Sequence, residues 1–191
     1  MSLAVNNGGL MTKKKIMDRD DIKRVVSRIA FEILEKNRGA KDLILVGIKR
    51  RGDKIAARIV EEIKKIENKE IPCGSLDITL YRDDLETISE APVVHPTEFN
   101  FDINGKIVVL VDDVLYTGRT IRAAMDEIID FGRPKKIQLA VIIDRGQREL
   151  PIQADFVGKK ISLGKKEIIN ILVKEEDGED GVYILGDGNE V

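Results

Sequence analysis

The sequence predicts one α/β domain in which a central, mainly parallel sheet is flanked by helices. Three short apolar runs, over residues 43–48, 107–111 and 137–143, are rich in valine and isoleucine and have no polar face. Such runs are typical of buried strands in a parallel sheet. Segments with apolar residues at helical spacing alternate with these runs. A chain of 191 residues is also an ordinary length for one domain.

The first predicted helix has an apolar stripe from Ile22 to Leu34, whose members are three or one residue apart. Asp18 lies where a carboxylate can cap the first turn of this helix. Similar stripes over 55–63 and 121–129 predict two further helices. The resulting alternation of strands and helices is that of a layered α/β fold.

Two segments are expected to lie outside this regular pattern. Residues 1–11 show no periodicity, so we expect a disordered leader or tag followed by a single domain over 12–191. Residues 81–104 are polar and fit neither the helical nor the strand period. A loop of that length inside a compact domain is usually functional or mobile.

Composition excludes several classes of protein. Lysine and arginine together number 32 and aspartate and glutamate 34, which gives a net charge of −2, so nucleic acid would need a local basic face. A single cysteine, Cys73, excludes a disulfide framework and fits a reducing compartment. No apolar run approaches the roughly 20 residues of a membrane span. We therefore expect a cytoplasmic protein without a membrane partner.

The most informative segment joins a buried strand to a helix. The apolar run ends in Asp112 and Asp113, and the Thr-Gly-Arg-Thr sequence of residues 117–120 opens the next helix. Helix N-termini bind phosphate through unpaired N–H groups, and carboxylates accept hydrogen bonds from a diol or help to hold Mg²⁺. The combination predicts a ribose 5-phosphate site at the end of the strand. The alternative is that the acids form a solvated strand end or a helix cap.

This segment, residues 108–120, resembles the loop with which type I phosphoribosyltransferases bind phosphoribosyl diphosphate (PRPP). Residues 46–52, 77–84 and 144–152 are in addition similar to the PyrR family, and the resemblance runs from about residue 16 to residue 173. That family comprises bifunctional pyrimidine-operon attenuators with uracil phosphoribosyltransferase activity. The resemblance implies that the chain converts uracil and PRPP to UMP and diphosphate. It also implies UMP-dependent binding to the mRNA leader of a pyrimidine operon, which attenuates transcription.

The resemblance also implies roles for individual residues. Asp113 is the candidate base near the anomeric carbon and Asp112 binds the ribose hydroxyls, and the sequence does not separate the roles of the two acids. The loop at 81–104 resembles a flexible lid, from which Arg82 moves onto the departing diphosphate. Mg²⁺ is expected to be held by PRPP and not by a dedicated protein cage. The residues implied in PRPP and nucleotide binding are Lys49, Arg50, Arg51, Gly52, Tyr81, Asp112, Asp113, Thr117, Gly118, Arg119 and Thr120.

The uracil base is expected to contact two adjacent residues. In the resemblance, Phe156 lies over the ring and the backbone of Val157 reads its edge. The alternative for Phe156 is ordinary core packing.

An RNA face is implied at Arg28, Arg50, Arg148 and Lys159. The sequence departs from the usual family pattern with Arg50 in place of threonine, Gln147 in place of histidine and Gln153 in place of arginine.

Three expectations complete this hypothesis. UMP or UTP is expected to bind in the same pocket as PRPP, and the chain is expected to form a homodimer or a higher homo-oligomer. One alternative function is a salvage enzyme without RNA regulation. Another is a phosphoribosyltransferase for adenine, hypoxanthine or orotate. The acidic run at 175–180 is expected to be a solvated turn.

Overall fold

The computed structural model describes residues 2–6, 9–78, 101–164 and 167–187. It contains two sheets and four helices in these ranges. In chain order the elements are β1 (Ser2–Asn6), β2 (Gly9–Met17), α1 (Arg19–Asn37), β3 (Leu43–Ile48), α2 (Gly52–Glu67), β4 (Cys73–Leu76), β5 (Ile107–Leu115), α3 (Arg119–Phe131), β6 (Lys136–Asp144), β7 (Phe156–Lys160), β8 (Ile168–Leu172), α4 (Lys174–Asp177) and β9 (Gly181–Asp187).

The central sheet has five strands in the order β4-β3-β5-β6-β7, and every neighbouring pair is parallel. The predicted run at 43–48 coincides with β3, and the other two runs lie within β5 and β6. Because all strands run in one direction, their carboxyl ends meet at one edge of the sheet. The predicted fold class, a mainly parallel sheet flanked by helices, is confirmed.

The two faces of the sheet bury different helices. Leu43 and Leu45 of β3 belong to a core cluster with residues of α1 and α2. Ile44 and Val46 of the same strand belong to a second cluster, which includes Ile121 of α3. Alternate residues of a strand point to opposite faces, so α1 and α2 cover one face and α3 covers the other.

The first helix begins and ends as its sequence predicts. The Asp18 carboxylate accepts a hydrogen bond from the Asp21 N–H at 2.8 Å, and the Asp21 carboxylate accepts one from the Asp18 N–H at 3.0 Å. This reciprocal pair satisfies two N–H groups of the first turn. At the other end, Arg38 has a left-handed conformation with φ 58° and ends the helix.

A second, antiparallel sheet has the order β1-β2-β9-β8, and the sequence did not predict it. The expected leader at 1–11 contains β1 and the start of β2 in the structure, and residues 11–17 of β2 pair with β9. Strands pair through backbone hydrogen bonds, which require no apolar pattern in the sequence. The spacing of apolar residues therefore did not indicate this sheet. The division into a leader and one domain stays a prediction.

The expected lid at 81–104 lies mostly outside the described residues, which resume at Phe101. Among the described residues, no helix is long and apolar enough to cross a membrane.

Gly52 sets the distance between the start of α2 and β5. A Cβ added at Gly52 would lie 2.4 Å from the Val111 carbonyl oxygen and 3.1 Å from the Asp112 Cα. These are backbone atoms of a buried strand, which cannot move aside as a side chain can.

We predict that Gly52→Ala destabilises the fold by about 2 kcal/mol, because the added methyl group forces α2 away from β5. Urea unfolding measures the change. Gly164→Ala is the matched control, since a Cβ there would meet Glu167 at 3.4 Å, an ordinary contact. Equal stability of the two variants would show that the approach of α2 to β5 is not tight.

Candidate active site

A cavity of about 320 Å³ lies where β5 ends. Its lining includes Asp112 and Asp113 from the strand and Ile169 and Asn170 from β8. The antiparallel sheet thus forms one wall of a pocket at the carboxyl edge of the parallel sheet. This is the place where open α/β sheets bind ligands. The predicted site residues that line the cavity are Arg51, Asp112, Asp113, Thr117, Gly118 and Thr120.

The two acids are held by the backbone that follows them. Asp112 is 6% exposed, and its Oδ1 accepts a hydrogen bond from the Asp113 N–H at 2.9 Å. The Oδ1 of Asp113 accepts one from the Val114 N–H at 2.8 Å. These bonds limit the rotation of both carboxylates, so each acid presents oxygens to the cavity in a defined orientation.

The loop after the acids leaves the start of α3 open to a ligand. Gly118 has φ 94° and is the N-cap of the helix, where it offers no side chain to the N–H groups that follow it. The Thr117 Oγ1 accepts a hydrogen bond from the Arg119 N–H at 3.2 Å, which shapes the loop. The N–H groups of the first turn of α3 and the positive end of its dipole can therefore bind an anion beside the acids.

Arg51 brings a positive charge to the cavity from the turn between β3 and α2, which contains a cis peptide bond between Lys49 and Arg50. Its Nε and Nη2 donate to the Asp177 carboxylate at 2.8 and 2.7 Å. This hydrogen-bonded pair raises the pKa of Arg51 and lowers the pKa of Asp177. Lys49, Arg50 and Gly52 lie in or beside this turn but not in the cavity lining.

The acidic run at 175–180 is only partly the solvated turn that was expected: Glu175, Glu176, Gly178 and Glu179 are exposed, whereas Asp177 and Asp180 are half-buried. Asp177 pairs with Arg51, while Glu175 and Asp180 both pair with Arg58 of α2. The side chain of Asp180 is 7% exposed and that of Asp177 16%. The acids therefore fix the segment between β8 and β9 to α2, across more than 100 residues of sequence.

Arg148 holds the loop that follows the acids. Its guanidinium donates to the carbonyl oxygens of Leu115 and Tyr116 at 3.2 and 2.9 Å, and to that of Ile152 at 3.0 Å. It also forms an ion pair with Asp144 at 2.5 Å and donates to the Gly146 carbonyl. Only 20% of the side chain is exposed. The structure thus places the guanidinium, expected on an RNA face, against the chain's own backbone.

The remaining residues of the expected RNA face are separated. Arg28 donates to the Gly158 carbonyl at 2.6 Å, which places it beside the exposed Lys159. Arg50 is exposed at the end of β3. Since β3 and β7 are three strand spacings apart, Arg50 lies roughly 15 Å from the other two.

Phe156 and Val157 face opposite sides of the sheet. Phe156 is 2% exposed and packs in the core with α1, whereas Val157 packs against the cluster on the α3 side. Neither lines the cavity. The structure therefore favours the packing alternative for Phe156. Tyr81 and Arg82 lie outside the described residues.

Two further cations of the predicted motifs have defined positions. Arg119 lies outside the cavity and pairs with Glu149 at 2.7 Å. Arg145, which is not among the predicted site residues, lines the cavity and stacks 3.9 Å from the ring centre of Tyr116. Its place in the 144–152 motif was the signal that could have identified it.

No group of three or more acids, cysteines or histidines that could hold a metal ion is found among the described residues. A pair of carboxylates at the cavity fits Mg²⁺ only if a substrate supplies further oxygens, as phosphates do.

Comparison with known proteins agrees with this geometry. Residues 13–176 match the family model described as phosphoribosyl transferase domain. The structure is similar to a hypoxanthine phosphoribosyltransferase of Trypanosoma cruzi (TM-score 0.69, 17% identity, 90% of each chain). It is also similar to a hypoxanthine-guanine phosphoribosyltransferase of Bacillus anthracis (TM-score 0.66, 17% identity, 91% of this chain and 97% of that one). Fold and site thus define a phosphoribosyltransferase.

Sequence comparison gives the particular family. A protein of Pelotomaculum thermopropionicum named bifunctional protein PyrR is 57% identical over 173 residues, which cover 91% of this chain and 96% of that protein. A protein of the same name from Clostridioides difficile is 55% identical over 175 residues, 92% of this chain and 99% of that protein. The chain belongs to the PyrR family.

We predict that Arg148→Lys lowers the free energy of unfolding by about 2–3 kcal/mol, because lysine cannot reach all of these carbonyls and leaves some unpaired. Urea unfolding measures it. Arg122→Lys is the control, since Arg122 is 67% exposed and its ion pair in the described part of the chain is with Asp126 on its own helix. If Arg148→Lys is as stable as the parent chain, the backbone contacts of Arg148 are not what requires an arginine there. The RNA-binding role implied for Arg148 would then be the better explanation.

Proposed function

We propose that the chain is a uracil phosphoribosyltransferase that also regulates a pyrimidine operon by UMP-dependent binding to its mRNA leader. The observation that carries the enzyme half is the cavity at the end of β5. Two oriented acids, an uncapped helix N-terminus and an arginine line it together. These are the groups that the ribose, the 5′-phosphate and the diphosphate of PRPP require.

PRPP binds with its 5′-phosphate on the loop at 117–120. The N–H groups of the first turn of α3 donate to the phosphate oxygens, with the helix dipole favouring the negative charge. This contact fixes one end of the sugar. The carboxylate of Asp112 then accepts hydrogen bonds from the ribose hydroxyls, and Asp113 lies toward the anomeric carbon.

The chemical step replaces diphosphate at the anomeric carbon with N1 of uracil. Positive charge develops on the ribose as the bond to diphosphate breaks, and the carboxylate of Asp113 stabilises it. Asp113 also accepts the proton from N1 of the base. Arg51 binds the departing diphosphate. Mg²⁺, when held by PRPP, neutralises further charge on that group.

The base and the lid complete this proposal. We assign the edge of uracil to the backbone of Val157, which lies outside the cavity lining described above, and the lid over PRPP to Tyr81 and Arg82, which lie outside the described residues. A closed lid would exclude water from the reacting carbon and add a cation beside the leaving diphosphate.

We predict that diphosphate release from PRPP depends on uracil and not on adenine, hypoxanthine or orotate. Asp113→Asn should lower kcat about 100-fold, since it removes the proton acceptor, and should leave PRPP binding within threefold. A coupled assay for diphosphate measures both. Asp126→Asn is the control, because Asp126 is exposed on α3 and, among the described residues, pairs with Arg122 of the same helix. Turnover with another base, or full turnover of Asp113→Asn, would contradict the assignment.

The regulatory half assigns a surface for RNA. Arg28 and Lys159 lie together at the edge of the parallel sheet and supply two cations to the proposed face, although Arg28 also pairs with Glu32 at 2.6 Å. Arg50 is also assigned to RNA binding, and we propose in addition that the chain forms a homodimer or a higher homo-oligomer. UMP in the PRPP pocket would favour the RNA-binding state by binding it more tightly. The proposed location is the cytoplasm, where the transcript is made.

We predict that the leader RNA of the chain's own pyrimidine operon binds more tightly with UMP than without it. Lys159→Gln should weaken binding and lower the dependence of log K on log salt by about 0.7, the loss of one phosphate contact on single-stranded RNA. Lys65→Gln, which removes an exposed charge from α2, is the control. Uracil turnover without RNA binding would make the chain a salvage enzyme.

A further inference from the structure

The segment between β8 and β9 makes two similar contacts with α2, and only one of them reaches the cavity. Asp177 pairs with Arg51, and Asp180 pairs with Arg58. Each acid also accepts a backbone hydrogen bond from its own segment, Asp177 from the Val173 N–H at 2.8 Å and Asp180 from the Lys174 N–H at 2.9 Å. Arg51 lines the cavity, whereas Arg58 does not.

The Arg51 pair uses one edge of the guanidinium. Nε and Nη2 donate to the two oxygens of Asp177 at 2.8 and 2.7 Å. Nη1, with its two N–H groups, makes no hydrogen bond to any residue that the structure describes. A guanidinium held by one edge keeps a fixed plane, so the direction of its other N–H groups is fixed as well.

Asp177 is held in turn by the fold. It belongs to the short helix α4, its side chain is only 16% exposed, and the Val173 N–H fixes one of its oxygens. Val173 is 1% exposed and packs in the same core cluster as α1 and α2. The position of the carboxylate is therefore set by buried packing and not by a mobile surface turn.

We propose that Asp177 is a positioning residue for the diphosphate group: it holds Arg51 so that Nη1 is directed at the diphosphate of PRPP. The inference rests on the proposed phosphoribosyl transfer. Diphosphate would add to the ion pair without displacing Asp177, because the two anions use different edges of one guanidinium. The benefit is preorganisation, since the arginine side chain is already ordered before the substrate binds.

The opposite role makes the opposite prediction. If Asp177 competed with diphosphate for Arg51, removing its charge would free the guanidinium and tighten binding. If Asp177 only attached α4 to α2, its loss would resemble the loss of Asp180. The sign of the change in diphosphate affinity distinguishes positioning from competition. The Asp180→Asn control distinguishes positioning from simple attachment of α4 to α2.

The test compares Asp177→Asn with Asp180→Asn in the full chain. Inorganic diphosphate is the binding probe, measured by calorimetry, and the KM for PRPP, the KM for uracil and kcat are measured in the same preparations. We expect Asp177→Asn to raise the KM for PRPP and the Kd for diphosphate about tenfold and to leave the KM for uracil unchanged. Asp180→Asn should change none of these more than twofold, although it also lowers Tm.

Asp177→Glu provides a second variant that keeps the charge. It should restore most of the affinity for diphosphate, with a Kd twofold to fourfold above that of the parent chain. It also serves in place of Asp177→Asn if that variant does not fold. The inference is overturned if Asp177→Asn binds diphosphate as well as or better than the parent, if Asp180→Asn loses the same affinity, or if Asp177→Glu is no better than Asp177→Asn. A parent chain that binds diphosphate but does not use uracil would contradict the proposed function alone.

Discussion

The close approach of Gly52 to β5 is the constraint on which the site depends. With only hydrogen in place of a side chain, the start of α2 reaches the backbone at Val111. The turn that carries Arg51 is thereby brought beside the two acids that follow Val111. The cavity therefore combines Arg51, which follows β3, with Asp112 and Asp113 at the end of β5, because the carboxyl ends of these two strands are adjacent.

The loops of the site are ordered by contacts from outside it. The Arg148 guanidinium donates hydrogen bonds to the carbonyl oxygens of Leu115 and Tyr116. The Asp177 carboxylate forms an ion pair with Arg51. In both cases a charged side chain outside the cavity lining holds a residue that belongs to it. Arginine suits the first task because its five donors can satisfy several carbonyls at once. Preorganisation of this kind lowers the entropic cost of binding a flexible, highly charged substrate.

The sequence predicted the parallel sheet well because burial on both faces leaves a continuous apolar run. The bounds of β3 coincide with the run at 43–48, and the acids at the end of β5 marked the place where the structure has a cavity. The antiparallel sheet was missed because β2 contains three consecutive lysines, Lys13 to Lys15, and its order depends on pairing with β9.

Other parts of the site could not be predicted from the sequence, because they depend on contacts that only the fold creates. Arg51 and Asp177 are 126 residues apart, so an acidic run looked like a solvated turn until the fold placed it. Arg148 has the same charge whether it binds RNA or its own backbone, and only the surrounding carbonyls distinguish these roles. For Phe156, both alternatives predict an apolar residue, and burial against α1 favours packing.

The proposed binding of PRPP depends most on the contact between its 5′-phosphate and the loop at 117–120. Hydrogen–deuterium exchange with UMP and, separately, with uridine tests this assignment directly. We predict that UMP protects the backbone amides of residues 118–121 and that uridine, which lacks the phosphate, does not. Equal protection by both ligands, or protection confined to another part of the chain, would contradict the assignment of the phosphate to the start of α3.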